Sequence, residues 1–154
     1  RFREAGGRLV QLAPPNQGAF LANEVSRFPL LDKVPAFFDL GKDTDGNPRH
    51  GIPRLEGYEV GVIAGRSFGP WHRGVPSDGV VRVVETQLAE ARDWILLQHF
   101  HTVVMSARDT WKNVDLFLRE GRFTDEATRL ELDEQGRVCS RSSGSETPTL
   151  LEAS

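Results

Sequence analysis

The chain carries one cysteine, Cys139, and one methionine in 154 residues. A single thiol excludes an internal disulfide and a CxxC-type metal site, and it fits a reducing compartment such as the cytoplasm. Long apolar runs are missing as well. None approaches the roughly 20 residues of a bilayer span, and no signal-peptide pattern is visible, so no transmembrane segment is expected. A dominant charge sign is also absent: 19 basic against 22 acidic residues leave a net charge of −3. The basic residues are scattered rather than striped, which removes the electrostatic footprint of a nucleic-acid binder. No internal repeat is evident.

What is there fits one domain, since a chain of this length can bury roughly two-thirds of its unfolded surface. The first residue is Arg1, and a strand follows almost at once. That start is expected to be a cut edge of a longer sequence. Residues 8–13 read as a short buried strand stopped by Pro14 and Pro15. Asn16, Gln17 and Gly18 form a polar turn opening an amphipathic helix over Phe20, Leu21, Val25 and Phe28. A second apolar segment follows around Leu30, Val34 and Phe37. Together residues 18–40 are a possible lid, or ordinary cover for the core.

A polar loop over residues 41–55 contains Asp43-Thr-Asp-Gly46, which starts like a calcium loop but lacks the later acidic ligands and reads as a turn. Residues 58–64 are the next strand, ending at Gly65. The run 80–84 is apolar and β-branched and reads as a further strand, as do residues 93–98. From 102 to 119 the apolar spacing predicts one amphipathic helix, with Gly121 as its stop. Residues 130–138 are expected to form a hairpin turning at Gln135-Gly136. The Ser-rich segment 140–154 lacks the apolar content to pack and is expected to be a disordered tail. Alternating strands and helices make the class α/β with a mostly parallel sheet and flanking helices.

Two stretches organise the chemistry. Pro76-Ser-Asp-Gly puts the Asp78 carboxylate on a tight turn that enters the apolar strand expected over 80–84, and Gln98-His-Phe-His puts His101 where another apolar strand ends and a helix begins. The interval between them is long enough for a strand, a connection and a second strand. Both groups can therefore stand at neighbouring carboxyl-side edges of one sheet, where open α/β sheets place their chemistry. A buried carboxylate there fixes an imidazole tautomer and stabilises its cation, the orienting half of a Ser-His-Asp triad.

Three stretches taken in order carry a resemblance. They are Leu12-Ala-Pro-Pro-Asn-Gln-Gly18, Val62-Ile-Ala-Gly65 ahead of Ser77-Asp-Gly-Val-Val81, and His101-Thr-Val-Val-Met105. Together they resemble the C-terminal half of lipase- and esterase-like α/β-hydrolases, over about residues 7–123. The resemblance implies a partial α/β-hydrolase fold without its N-terminal strands, Asp78 as catalytic acid, His101 as base, an ester substrate and no cofactor. Residues 1–123 would be the hydrolase portion and 124–154 a short extension with the tail. At Pro14-Pro-Asn-Gln17 the chain departs from the Thr-Pro-His pattern frequent in that family.

Gly65-Arg-Ser-Phe-Gly69 matches the Gly-x-Ser-x-Gly nucleophile pattern literally. An elbow must pass from strand straight into helix, and Gly69-Pro70, Gly74 and Pro76 forbid that helix. Too few positions separate Ser67 from Asp78 for a helix and a crossover strand. Ser67 is thus expected to be a loop serine, with the true elbow upstream of Arg1. His99 competes with His101 as base but is expected still to lie on the strand. His50 and His72 read as solvated, and a metal set of Asp78, His99 and His101 lacks ligand spacing. Asp78-Gly79 is also a common turn in its own right. Two functions follow: part of a serine carboxylester hydrolase supplying acid and base without the nucleophile, or a non-catalytic hydrolase-like module that packs on a partner or on its own missing half.

Overall fold

A computed structural model describes residues 6–19, 57–67, 75–144 and 147–151. The strands are β1 (Gly7–Leu12), β2 (Tyr58–Gly65), β3 (Ala91–Leu97), β4 (Thr128–Leu132), β5 (Val138–Arg141) and β6 (Thr149–Leu150). The helices are α1 (His101–Val104) and α2 (Arg108–Glu120), with a 3-10 turn at Val83–Thr86. All six strands form one sheet in the order β1-β2-β3-β4-β5-β6. β1, β2 and β3 run parallel. The next three ladders are antiparallel, so the sheet is mixed rather than mostly parallel. The class is α/β-like, with few helices among the described residues.

β2 and the second half of β3 are buried on successive positions because both faces are covered there. Val60, Val62 and Ala64 of β2 form one cluster with Trp94 and Leu96 of β3, Leu130 of β4, Val138 of β5, Val83 and Leu151. On the other face Ile63, Ile95 and Leu97 meet Val104, Phe117, Phe123 and Ala127. Phe117 and Phe123 stack with ring centroids 4.9 Å apart. They press on β2 at Gly61, where an added Cβ would stand 2.7 Å from both rings. α2 reaches that face through Thr110, Asn113 and Phe117, spaced along one side of the helix. Gly121 closes α2 in the left-handed region, φ 74°, and its N–H donates to the Phe117 carbonyl at 2.8 Å.

At the amino ends of the parallel strands, two arginines cap the carbonyls that α2 leaves unpaired. Arg8 of β1 donates to the carbonyls of Leu118 and Arg119, and Arg92 of β3 donates to that of Gly121. Glu59 of β2 lies between them, accepting from Arg8 Nε at 2.7 Å and pairing with Arg92. The Arg8 hydrogen bond, aided by both positive charges and opposed by desolvation, holds the Glu59 carboxyl below its ordinary value.

Several expectations need correction. Residues 80–84 are no strand. Asp78 Oδ1 accepts from the N–H groups of Val80 and Val81, at 2.9 and 2.8 Å, and Glu85 accepts from Arg82 N–H at 2.9 Å. Those bonds curl the backbone into the turn and Val83–Thr86, while Val81 and Val83 are still buried. The single helix expected over 102–119 is two, parted where Ala107 takes an extended conformation, φ −68° and ψ 141°. The hairpin forms, with Gly136 at φ 76° in its turn. The segment read as a disordered tail contributes Ser140 and Arg141 of β5 and all of β6, and Leu151 is buried beside Val138. β4 to β6 thus continue the sheet and share its core. The helices and possible lid expected from Phe20 onward, the loop with Asp43, and His50 and His72 lie outside the described residues.

Candidate acid–base site

β2 and β3 lie side by side and parallel, so their carboxyl ends open on the same edge of the sheet. Asp78 and His101 meet there. The Asp78 side chain is 1% exposed and its Oδ2 accepts a hydrogen bond from His101 Nδ1–H at 2.8 Å. A carboxylate only accepts, so this contact assigns the proton of the neutral ring to Nδ1 and leaves Nε2 as the lone-pair nitrogen. The His101 side chain is 25% exposed, and Nε2 has no partner among the described residues.

Asp78 is fixed by more than the ring. Its Oδ1 takes the Val80 and Val81 amides, and its own carbonyl accepts from His101 N–H at 2.9 Å. The two residues are therefore tied through backbone and side chain at once. Ser77, buried beside it, accepts Gly79 N–H on its hydroxyl at 3.0 Å. The following Gly79 is at φ 104°, a conformation that suits glycine at the apex of this turn. An imidazole with one nitrogen pinned by a buried carboxylate and the other open can take and return a proton at a defined point in space. Exposed apolar residues lie close to the pair in the chain: Val80, Phe100, Val103 and Met105.

Ser67 is placed differently. It is buried just past β2, and its N–H and hydroxyl both donate to the Ser77 carbonyl, at 2.8 and 3.3 Å. No hydrogen bond joins it to His101 among the described residues, and Phe68, where an elbow helix would start, lies outside them. His99 was expected on the strand, but β3 ends at Leu97. Its Nε2–H instead donates to both carboxylate oxygens of Asp109, at 2.8 and 2.9 Å. The two histidines thus take separate carboxylates. No group of three or more His, Cys, Asp or Glu placed to hold a metal ion occurs among the described residues.

The turn after β1 is engaged with the 3-10 turn. Asn16 Nδ2 donates to Gln11 Oε1 at 2.9 Å and to the Thr86 carbonyl at 3.1 Å, and Gln17 reaches the Gln87 carbonyl at 3.1 Å. Thr86 in turn accepts Trp94 Nε1–H at 3.0 Å. Asn16 and Gln17 hold the Asp78 connection against β1. Asp109 is the partner that the sequence did not single out. An acid in the first turn of a helix ordinarily reads as a complement to the helix dipole, and only the fold brings His99 over it.

No helix among the described residues is long and apolar enough to cross a membrane. Comparison with protein-family models, with curated proteins and with solved structures finds no match to this chain.

Proposed function

We propose that this chain supplies the general base, His101, and its orienting acid, Asp78, to a serine carboxylester hydrolase of the α/β-hydrolase type. The observation that carries the reading is the 2.8 Å bond between His101 Nδ1 and the buried Asp78 carboxylate at the carboxyl edge of two parallel strands. The nucleophilic serine comes from a segment outside the described residues. Its Oγ–H gives its proton to His101 Nε2 as Oγ attacks the ester carbonyl carbon. The imidazolium, held by Asp78, returns that proton to the departing alkoxide. Water then repeats both steps on the acyl-enzyme and releases the acid.

A fluorophosphonate probe and a short-chain nitrophenyl ester test it. The chain alone is expected to hydrolyse the ester no faster than its His101→Ala variant. Adding the polypeptide encoded upstream in the same reading frame is expected to give turnover and a label on the added piece, both lost in His101→Ala. Labelling of Ser67 in the chain alone, abolished by His101→Ala, would overturn the missing-nucleophile reading.

A second reading, a non-catalytic module that packs on a partner, draws on the β1 edge. That edge carries no further strand among the described residues, and Leu9 within β1 is exposed. A stable complex with the upstream piece, without turnover or label, would favour it.

A further inference from the structure

His101 stands on the link between β3 and α2, in a helix of only four residues. One turn of helix does not hold itself, because nucleation fixes several residues for a single hydrogen bond. Phe100, at the head of α1, offers no side-chain cap. The link must be held from elsewhere. Val104 is fully buried and anchors the back of the turn. Two further bonds straddle His101, and both run to the first turn of α2. Before it, His99 Nε2–H meets the Asp109 carboxylate at 2.8 and 2.9 Å. After it, the Met105 carbonyl accepts Trp111 Nε1–H at 3.1 Å. Asp109 is itself oriented, since its Oδ1 accepts Thr110 N–H at 3.0 Å.

The result is two carboxylate–imidazole pairs, Asp109 with His99 and Asp78 with His101, with only Phe100 between the two histidines in sequence. We propose that Asp109 and His99 are positioning residues for His101: their bond fixes the link so that the His101 ring meets Asp78 through Nδ1. The inference rests on the acid–base reading above and deepens it. Asp78 sets which nitrogen carries the proton, and the Asp109–His99 pair sets where the ring lies. Small displacements matter at such a site, because a misplacement of about 1 Å can reduce rate by roughly 100-fold.

The test reads the His101 tautomer rather than turnover. Long-range ¹H–¹⁵N spectra of this chain at alkaline pH, where imidazoles are neutral, distinguish a proton on Nδ1 from one on Nε2. In the wild-type chain His101 is expected to be a single Nδ1–H tautomer, and Asp78→Ala is expected to abolish that signature. Asp109→Ala and His99→Ala are each expected to turn His101 into a mixture of both tautomers. Asp109→Asn, which keeps an acceptor oxygen for His99 Nε2–H, is expected to restore the single tautomer. Asp115→Ala breaks the Arg119–Asp115 pair on the same helix and is expected to change nothing at His101. The loop variant His99→Ala answers the question even where Asp109→Ala disturbs α2. An unchanged single tautomer in both Asp109→Ala and His99→Ala overturns the positioning role and leaves the acid–base reading standing. A wild-type His101 that is not a single Nδ1–H tautomer overturns the acid–base reading and the positioning role with it.

Discussion

Gly65, the last residue of β2, lies against Asp78 so closely that a Cβ on it would stand 2.8 Å from Asp78 Cβ and 3.0 Å from the His99 carbonyl oxygen. The absence of a side chain there lets the carboxylate turn and the histidine link close over the end of one strand. Gly65→Ala is expected to push both outward at a cost of about 1–3 kcal/mol, the range for overpacking a filled site. Urea denaturation measures the loss, and the His101 Nδ1–H signal should broaden or vanish in the same variant. A variant as stable as wild type with an unchanged signal would show that the contact yields without consequence.

Replacing Asp78 separates charge from hydrogen bonding. Asp78→Ala leaves the amides of Val80 and Val81 and the His101 ring without their acceptor. Part of that loss is made good by water at the exposed Val80, so the expected cost is about 2–4 kcal/mol. Asp78→Asn keeps one oxygen for the two amides and should cost less, on the order of 1 kcal/mol. Its amide nitrogen then faces His101 Nδ1 and forces the opposite tautomer. In an assembled hydrolase that reversal is expected to reduce kcat by about 10⁴-fold with the fold retained. Thermal melts together with ester turnover check both parts, and a fully active Asp78→Asn would refute the orienting role.

The C-terminal strand makes a separate claim. Leu151 is buried against Val138 at the end of β6, where the chain has few other apolar anchors. Leu151→Ala is expected to cost about 2 kcal/mol, near the low end for a buried leucine because a sheet margin relaxes readily. Amides of β6 should lose their protection from hydrogen exchange while those of β2 and β3 keep theirs. Equal exchange rates in the two proteins would mean that Leu151 does not hold β6.

Glu59 gives the molecule a defined acid response. Its folded pKa lies below the ordinary 4.5, chiefly through the Arg8 hydrogen bond. A lowered carboxylate pKa stabilises the fold fully above the unfolded value, and the contribution disappears as pH falls through the folded one. The difference in melting temperature between wild type and Glu59→Gln should therefore be constant down to about pH 5 and shrink below 4.5. Because the group is solvent-accessible the difference will be small, and added salt should reduce it further. A difference that grows on acidification would contradict the sign.

The parallel half of the sheet was legible because its strands are bounded by strong punctuation. Pro14-Pro15, Gly65 and the end of the apolar run before Gln98 mark the ends of β1, β2 and β3 to within two residues of their observed limits. The Asp78 turn was legible from Ser-Asp-Gly, whose side chains bond their own backbone. Residues 80–84 misled because β-branched burial looks the same in a strand and in a curled connection. The deciding bonds come from Asp78 and Glu85 rather than from the valines themselves. The break before α2 was hidden because Val103, Val104, Ala107 and Trp111 keep a helical period across it. β6 was hidden for another reason: two residues carry no pattern, and their place depends on Leu151 reaching a core built far upstream. His99 paired with Asp109 through a fold contact that no local spacing announces.

The sheet changes character at β3, and this has a kinetic consequence. β4 and β5 are joined by a tight turn, so their contacts are close in sequence and close quickly. β1 and β2 are separated in sequence by residues 13–57, and contacts between distant segments cost more entropy to close. The most local, fastest-forming part of the molecule therefore follows β1 and β2 in the chain and is synthesised after them. Until then β1 and β2 emerge with apolar faces and open edges, the condition under which nascent strands pair with the wrong neighbour. The histidine enters its carboxylate's reach only when β2 and β3 have closed, which makes that single hydrogen bond a reporter of completed folding.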